Sequence, residues 1–260
     1  MGDDRIPAAA ATGFQQGAEA YEASRPSYPA AALACIVGRA GLGPGRTVLD
    51  LAAGTGKLTR LLVPSGAEVV AVEPVAAMRA ELTAATAGVE ALDGTAEAIP
   101  LPDASVDAVT VAQAFHWFDP VPALAEIARV LRPGGTLLVV QNERDLEVDW
   151  VRRFGDLLDT GRGRPYDVYY EADWAARAVA DGGGAFTFGG RFECRWEQPC
   201  DAGLLVARAA SVSVVASLAD HEREQVLERV RRLAATDPEL VGRPSFPFPY
   251  TTRVAWAHRV

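Results

Sequence analysis

Short apolar runs alternate with segments of helical period along the first half of the chain. The runs at residues 48–51, 69–72 and 106–112 are rich in valine, leucine and alanine, and such runs are typical of buried strands. Glycine, proline and acidic residues separate them from the helical segments. The alternation predicts an α/β protein with a doubly wound, mostly parallel sheet.

The same pattern assigns the remaining elements. Further strands are predicted at residues 89–93, 136–141, 186–196 and 250–258. Helices are predicted at residues 76–86, 144–158, 169–180, 201–218 and 220–234, with another that starts after Asp119 and ends at Pro133. Residues 244–249 carry three prolines, so we predict an extended surface segment there.

A glycine-containing turn follows the first predicted strand. Asp50 stands at the end of that strand, and Gly54 and Gly56 allow the backbone to approach a ligand closely. Glu73 ends the second strand about twenty residues after the turn, a separation that can bring an acid onto a ribose diol. Each acid alone fits a helix cap or a solvated strand end, but together they predict a nucleoside-type ligand.

The charge at this turn disfavours a phosphate ligand. A dinucleotide site brings a helix terminus against a pyrophosphate, which Asp50 would repel. Residues 54–57 also lack the glycine-lysine-hydroxyl ending of a phosphate-binding loop. A nicotinamide-dependent oxidoreductase therefore remains only as a less favoured alternative.

Three motifs together resemble the class I S-adenosylmethionine-dependent methyltransferases. They are Asp-Leu-Ala-Ala-Gly-Thr-Gly at residues 50–56, Glu-Pro at 73–74 and Leu-Arg-Pro-Gly-Gly at 131–135. The chain is most similar to the small-molecule branch that holds ubiquinone and trans-aconitate methyltransferases. Residues 114–119, Ala-Phe-His-Trp-Phe-Asp, are similar to the trans-aconitate subgroup.

The resemblance implies a Rossmann-like fold with seven strands and a helical lid inserted after the fifth. It implies an N-terminal helical cap over the cofactor at residues 1–45 and a cofactor-binding core at 46–143. Residues 144–260 then supply the lid and the last strands, and all three parts form one compact unit.

The resemblance also implies S-adenosylmethionine as the cofactor. Asp50 is expected near its ammonium group, and Glu73 is expected to accept both ribose hydroxyls. Many relatives have an acid where Thr95 stands, and the threonine hydroxyl can accept from adenine instead. The full expected cofactor set is Tyr21, Arg25, Asp50, Ala52, Gly54, Thr55, Gly56, Glu73, Pro74, Met78, Thr95, Ala96, Glu97 and Gln113.

The expected substrate set is centred on an aromatic cluster after the fourth strand. His116 is a candidate general base because an imidazole can accept a proton near neutral pH. The alternative is that it only lines the substrate site, and a carboxylate acceptor needs no base. The expected substrate residues are Tyr28, Ala114, Phe115, His116, Trp117 and Trp174. A repurposed fold that binds the cofactor as a cyclase or regulatory module remains an alternative.

Composition narrows the possible partners. The chain has 260 residues and a net charge of −9, which disfavours a nucleic-acid partner. Its three cysteines lack metal-type spacing, which indicates reduced thiols in the cytoplasm and no metal site. Arg208 interrupts the most apolar segment, residues 202–219, so no membrane span is expected. We expect a small-molecule methyl acceptor and a monomer or homodimer.

Overall fold

A seven-stranded mixed sheet forms the centre of the fold. The computed structural model describes residues 24–159 and 181–260. The strands are β1 Thr47–Leu51, β2 Glu68–Val72, β3 Glu90–Leu92, β4 Val106–Ala112, β5 Leu131–Arg144, β6 Phe186–Cys200 and β7 Phe246–Arg259. Their order across the sheet is β3-β2-β1-β4-β5-β7-β6, and the pairs among the first five are parallel. The predicted fold class is confirmed.

Helices follow most of these strands. The α-helices in the described residues are α1 Ala30–Ala40, α2 Thr59–Leu62, α3 Ala76–Ala85, α4 Pro120–Val130, α5 Asp149–Leu158, α6 Ala202–Ala210, α7 Ser213–Ala216 and α8 Asp220–Thr236. The helical insertion begins after β5 with α5, and α6, α7 and α8 come between β6 and β7. Within the described residues, none of the helices has the length and apolar character that crossing a bilayer requires.

The helix predicted at residues 144–158 starts too early. Arg144 still belongs to β5, and α5 begins at Asp149. Between them, the carboxylate of Asp145 accepts the backbone N–H of Glu147 at 3.1 Å. An aspartate that binds the backbone just after it offers an alternative to helix, which explains the later start.

The single helix predicted at residues 201–218 is in fact two helices. The helix α6 ends before Ser211, and α7 starts after Val212, whose φ of −71° and ψ of 127° are extended. The Ser211 hydroxyl donates to the backbone carbonyl of Arg208 at 2.8 Å and so takes up an acceptor at the helix end. The helix predicted at residues 169–180 lies outside the described residues.

The prediction for residues 244–249 is half right. The segment is extended, but from Phe246 onward it is part of β7 rather than a surface segment. Phe246 and Phe248 are buried and Pro247 between them is exposed. Alternate side chains of a strand share a face, so the prolines occupy the positions that leave the phenylalanines in the core.

The chain divides into two compact units. We call one the sheet unit, which comprises Ser27–Asn142, Pro165–Cys194 and Thr252–Val260. The other, the helical unit, comprises Met1–Pro26, Glu143–Arg164 and Arg195–Thr251. The cap, core and lid division made from the sequence stays a prediction.

Both faces of the sheet unit are buried. Leu49 and Leu51 of β1 pack in one apolar cluster, with α4. Val48 packs in a second cluster, which includes residues of α1 and α2. Because side chains alternate along a strand, Asp50 shares the face of Val48 and stands near the carboxyl end of β1.

Aromatic rings build the core of the helical unit. Trp150 of α5 meets Phe246 and Phe248 of β7 edge to face, with ring centroids 5.5 Å and 5.0 Å apart. Phe154 of α5 meets Phe248 in the same way at 5.7 Å. Edge-to-face contact is a preferred arrangement of aromatic pairs, so these residues fix α5 against the strand.

Candidate active site

The candidate site lies at the carboxyl edge of the parallel strands. The strands β1 and β4 are neighbours, with β2 and β3 on one side and β5 on the other. The chain therefore leaves β1 and β4 toward opposite sides, which makes their carboxyl ends a topological switch point. Open α/β sheets bind their ligands at such points.

Asp50 is enclosed by two threonine hydroxyls. Its Oδ1 accepts from Thr110 at 2.9 Å, a residue directly opposite it in the β1–β4 pairing. Its Oδ2 accepts from Thr59, the first residue of α2, at 2.6 Å. Burial raises the pKa of Asp50 to about 6, and the two hydroxyls act in the opposite direction. The carboxylate thus joins β1, β4 and α2.

The turn after β1 uses backbone conformations that most residues avoid. Ala52, Gly54 and Gly56 have φ values of 54°, 59° and 81°. A Cβ placed on Gly56 would lie 2.8 Å from Cγ of Leu82, so this glycine is required for packing as well as for its backbone angle. Ala52 pays the steric cost of the left-handed region, which indicates a turn held by its surroundings.

Glu73 fastens this turn to the tip of β2. One carboxylate oxygen accepts the N–H of Gly54 and the other accepts the N–H of Val75, each at 2.8 Å. Burial raises the pKa of Glu73, and the charge of Asp50 adds to the rise. The two N–H groups and Arg79 act in the opposite direction. The two predicted acids are therefore close enough to affect each other's ionisation.

The next predicted residues also surround the turn. Met78 is buried, and its Sδ would lie 3.9 Å from a Cβ on Gly54. Thr55 is buried, and its backbone carbonyl accepts from the Arg60 guanidinium at 2.9 Å. Pro74 is half-buried.

Residues after β3 carry an unused acceptor and a used one. The Thr95 hydroxyl is buried and has no hydrogen-bond partner among the described residues. Ala96 beside it is buried in the core. The carboxylate of Glu97 accepts the N–H of Asp119 at 3.0 Å and so caps α4. Asp119 is the N-cap residue as predicted, yet in the described structure its own side chain makes no capping bond.

Gln113 ends β4 in the left-handed region, with a φ of 59°. Its side-chain amide donates to the backbone carbonyl of Asn142 at 3.1 Å. The Asn142 side chain in turn donates to the carbonyl of Ser27 at 2.9 Å and accepts the Thr252 hydroxyl at 2.6 Å. Asn142, at a strand end, had no sequence motif that marked it.

The aromatic cluster after β4 forms a short 3₁₀ turn, Phe115–Trp117, that follows the buried Ala114. Phe115 is buried in the core, with its ring centroid 5.6 Å from that of Phe118. His116 is 8% exposed, and its ring centroid lies 4.9 Å from that of Trp117. Phe115 is therefore a packing residue, and the placement of His116 leaves its role as base or lining residue a prediction.

The remaining predicted residues lie elsewhere or outside the described residues. Tyr28 is half-buried and packs against the cluster formed with α1. Arg25 belongs to the helical unit, where its guanidinium donates to the carbonyl of Ser211 at 2.8 Å. Tyr21 and Trp174 fall outside the described residues.

Sequence reasoning missed Thr59 and Thr110. Both are hydroxyl residues inside otherwise apolar elements, one at the start of α2 and one within β4. A buried hydroxyl next to an acid at a strand end is the signal that points to them. Within residues 24–159 and 181–260, no group of three or more side chains is arranged to hold a metal ion.

Comparison with known proteins gives a consistent result. A family model described as "Methyltransferase domain" matches residues 49–139. An uncharacterized methyltransferase of Mycobacterium tuberculosis is 43% identical over 92% of each chain. A solved structure from Anaeromyxobacter dehalogenans is 26% identical, with a TM-score of 0.65, covering 90% of this chain and 97% of that one. A SAM-dependent methyltransferase of Aquifex aeolicus, 18% identical with a TM-score of 0.51 over 88% and 89% of the two chains, shares the fold.

Proposed function

The chain belongs to the class I S-adenosylmethionine-dependent methyltransferases, and we propose that it transfers a methyl group from that cofactor to a small organic acceptor, either a natural product or a carboxylate-type metabolite. The observation that carries the proposal is the pair of buried carboxylates, Asp50 and Glu73, at adjacent strand tips. The glycine turn joins them through the Gly54 N–H.

The residues at this edge fit the proposed cofactor. The carboxylate oxygens of Glu73 each accept one N–H, and each has a second lone pair for a ribose hydroxyl. The buried Thr95 hydroxyl has an unused lone pair for the adenine amino group. Both oxygens of Asp50 are already bound by hydroxyls, so we expect it to act on a ligand ammonium through its charge rather than by direct contact.

The chemistry required of the chain is positioning. Bound S-adenosylmethionine supplies a methyl group that is already electrophilic because it is on a sulfonium. The chain then has to hold the acceptor atom in line with that methyl and exclude water. Gln113 and Ala114, at the tip of β4, are proposed to border the methyl group. His116 is proposed to line the acceptor side and, for a hydroxyl acceptor, to accept its proton.

Methyl transfer tests the proposal directly. The purified protein is incubated with methyl-tritiated S-adenosylmethionine and a fractionated small-molecule extract. We expect label in a low-mass organic product, and much less label with the Glu73→Gln variant. Label that appears only in macromolecules would contradict a small acceptor. S-adenosylhomocysteine binding without any transfer would favour a repurposed fold.

A further inference from the structure

The helical unit contains a buried arginine whose described partners carry no negative charge. Arg208 of α6 is 3% exposed. Its Nε donates to the carbonyl of Ser24 at 3.1 Å, and its Nη2 donates to the side-chain carbonyl of Gln198 at 2.7 Å. Its Nη1 is buried and has no hydrogen-bond partner among the described residues.

Aromatic rings lie on one side of this guanidinium. Its Cζ is 4.5 Å from the ring centroid of Phe248 and 5.5 Å from that of Tyr250. Cation–π contact of this kind stabilises the charge, yet it leaves the in-plane N–H edge available for an acceptor. The unsatisfied Nη1 belongs to that edge.

Two further arginines surround the same tyrosine. Burial raises the pKa of Tyr250, and the positive charges of Arg208, Arg144 and Arg25 act in the opposite direction. The Arg144 guanidinium lies 5.7 Å from the ring centroid of Phe154 in the same core. Three guanidinium groups therefore act on one buried phenol in the helical unit.

A buried cation of this kind calls for an anion. Carbonyl acceptors satisfy hydrogen bonds but do not neutralise the charge, and an unmet donor adds to the cost of burial. A guanidinium edge matches a carboxylate in shape and charge, because two parallel N–H groups can reach its two oxygens. A carboxylate monoanion is also cheaper to desolvate beside aromatic rings than a phosphate dianion.

We propose that the helical unit contains a binding site for an organic carboxylate, in which Arg208 is the principal ligand and Arg25 and Arg144 add positive charge. The inference rests on the proposed function in one respect, namely that we take this organic acid to be the methyl acceptor. No sequence motif marked Arg208, because its surroundings come from α6, β6 and β7.

Binding of defined anions tests the proposal. Benzoate, succinate and citrate are titrated into the full-length protein at constant ionic strength, with benzamide as the uncharged match and inorganic phosphate as the competing anion. We expect at least one carboxylate to bind and to raise the thermal midpoint, while benzamide does neither. We expect Arg208→Met to weaken that binding about tenfold or more. Arg223→Met is the control, because Arg223 is an exposed residue of α8 paired with Asp220, and it should bind as the wild type does.

The outcomes separate a binding role from a structural one. If Arg208→Met is less stable but binds the carboxylate as tightly as the wild type, or if no carboxylate binds the wild type, the proposal is overturned. Phosphate that binds more tightly than every carboxylate, with the same dependence on Arg208, would also overturn the carboxylate assignment. If Arg208→Met fails to fold, Arg144→Met replaces it, with a weaker carboxylate affinity expected. S-adenosylhomocysteine binding is measured in the same samples, so that failure of the proposed function shows separately.

Discussion

Replacement of Asp50 by asparagine should stabilise the ligand-free protein. Burial raises the pKa of Asp50 from 3.8 to about 6. At about 1.4 kcal/mol per pKa unit, the charged carboxylate costs about 3 kcal/mol in the folded state at pH 8. Asparagine has the same shape, and the Thr59 and Thr110 hydroxyls can rotate to accept from its amide group.

We therefore expect Asp50→Asn to be more stable by about 1–3 kcal/mol at pH 8, with a thermal midpoint higher by about 2–4 °C for each kcal/mol. The gain has a defined pH dependence. The folded-state pKa is above the unfolded-state value, so wild-type Asp50 takes up a proton in the folded state as the pH falls through 6. The advantage of asparagine should then shrink between pH 6 and about pH 4.

Thermal unfolding of both proteins from pH 8 to pH 5 measures this difference. Asp107→Asn is the matched control in the same unit. Burial tends to raise the pKa of Asp107, but the Thr47 N–H and the guanidiniums of Arg46 and Arg132 outweigh it, so that pKa is lowered. Asp107→Asn should therefore destabilise at pH 8. A less stable Asp50→Asn protein at pH 8, or a gain that does not change with pH, would refute the electrostatic reasoning.

Three further predictions concern the same edge of the sheet. Gly56→Ala should lower stability by about 1–3 kcal/mol and weaken S-adenosylhomocysteine binding, because its Cβ meets Leu82; Gly88→Ala, with a similar φ of 82° and open space, should cost less in thermal unfolding. Thr95→Val should weaken S-adenosylhomocysteine binding in calorimetry without loss of stability, because it removes a buried hydroxyl that has no described partner; unchanged affinity would remove Thr95 from the site. His116→Gln should reduce methyl transfer to a hydroxyl acceptor about tenfold or more with cofactor affinity retained, and an equal loss of both would contradict its proposed place on the acceptor side.

Local sequence patterns were sufficient for the sheet. Each strand from β1 to β4 is an apolar run that begins and ends at polar or glycine residues, and burial on both faces requires such a run. The helical insertion was harder to predict. The break at Ser211 and the buried Phe246 depend on which surfaces pack together, and helix periodicity or proline content alone does not contain that information.

The candidate site shows the same division. The positions of Asp50 and Glu73 follow from strand ends, which sequence patterns locate well. The hydroxyls that hold Asp50 depend on the register of β1 against β4, which brings residues 50 and 110 opposite each other. Asn142 binds groups distant in sequence. Such long-range contacts had no local signal in the chain.

Calorimetric titration with S-adenosylhomocysteine tests the central claim most directly. The wild-type protein should bind it at one site, and Glu73→Gln should bind about tenfold or more weakly, because the carboxylate that accepts the ribose hydroxyls is lost. Glu68→Gln, an exposed change on the same strand, should bind normally. No heat of binding with well-folded wild-type protein, or equal affinity in the Glu73→Gln variant, would contradict the account.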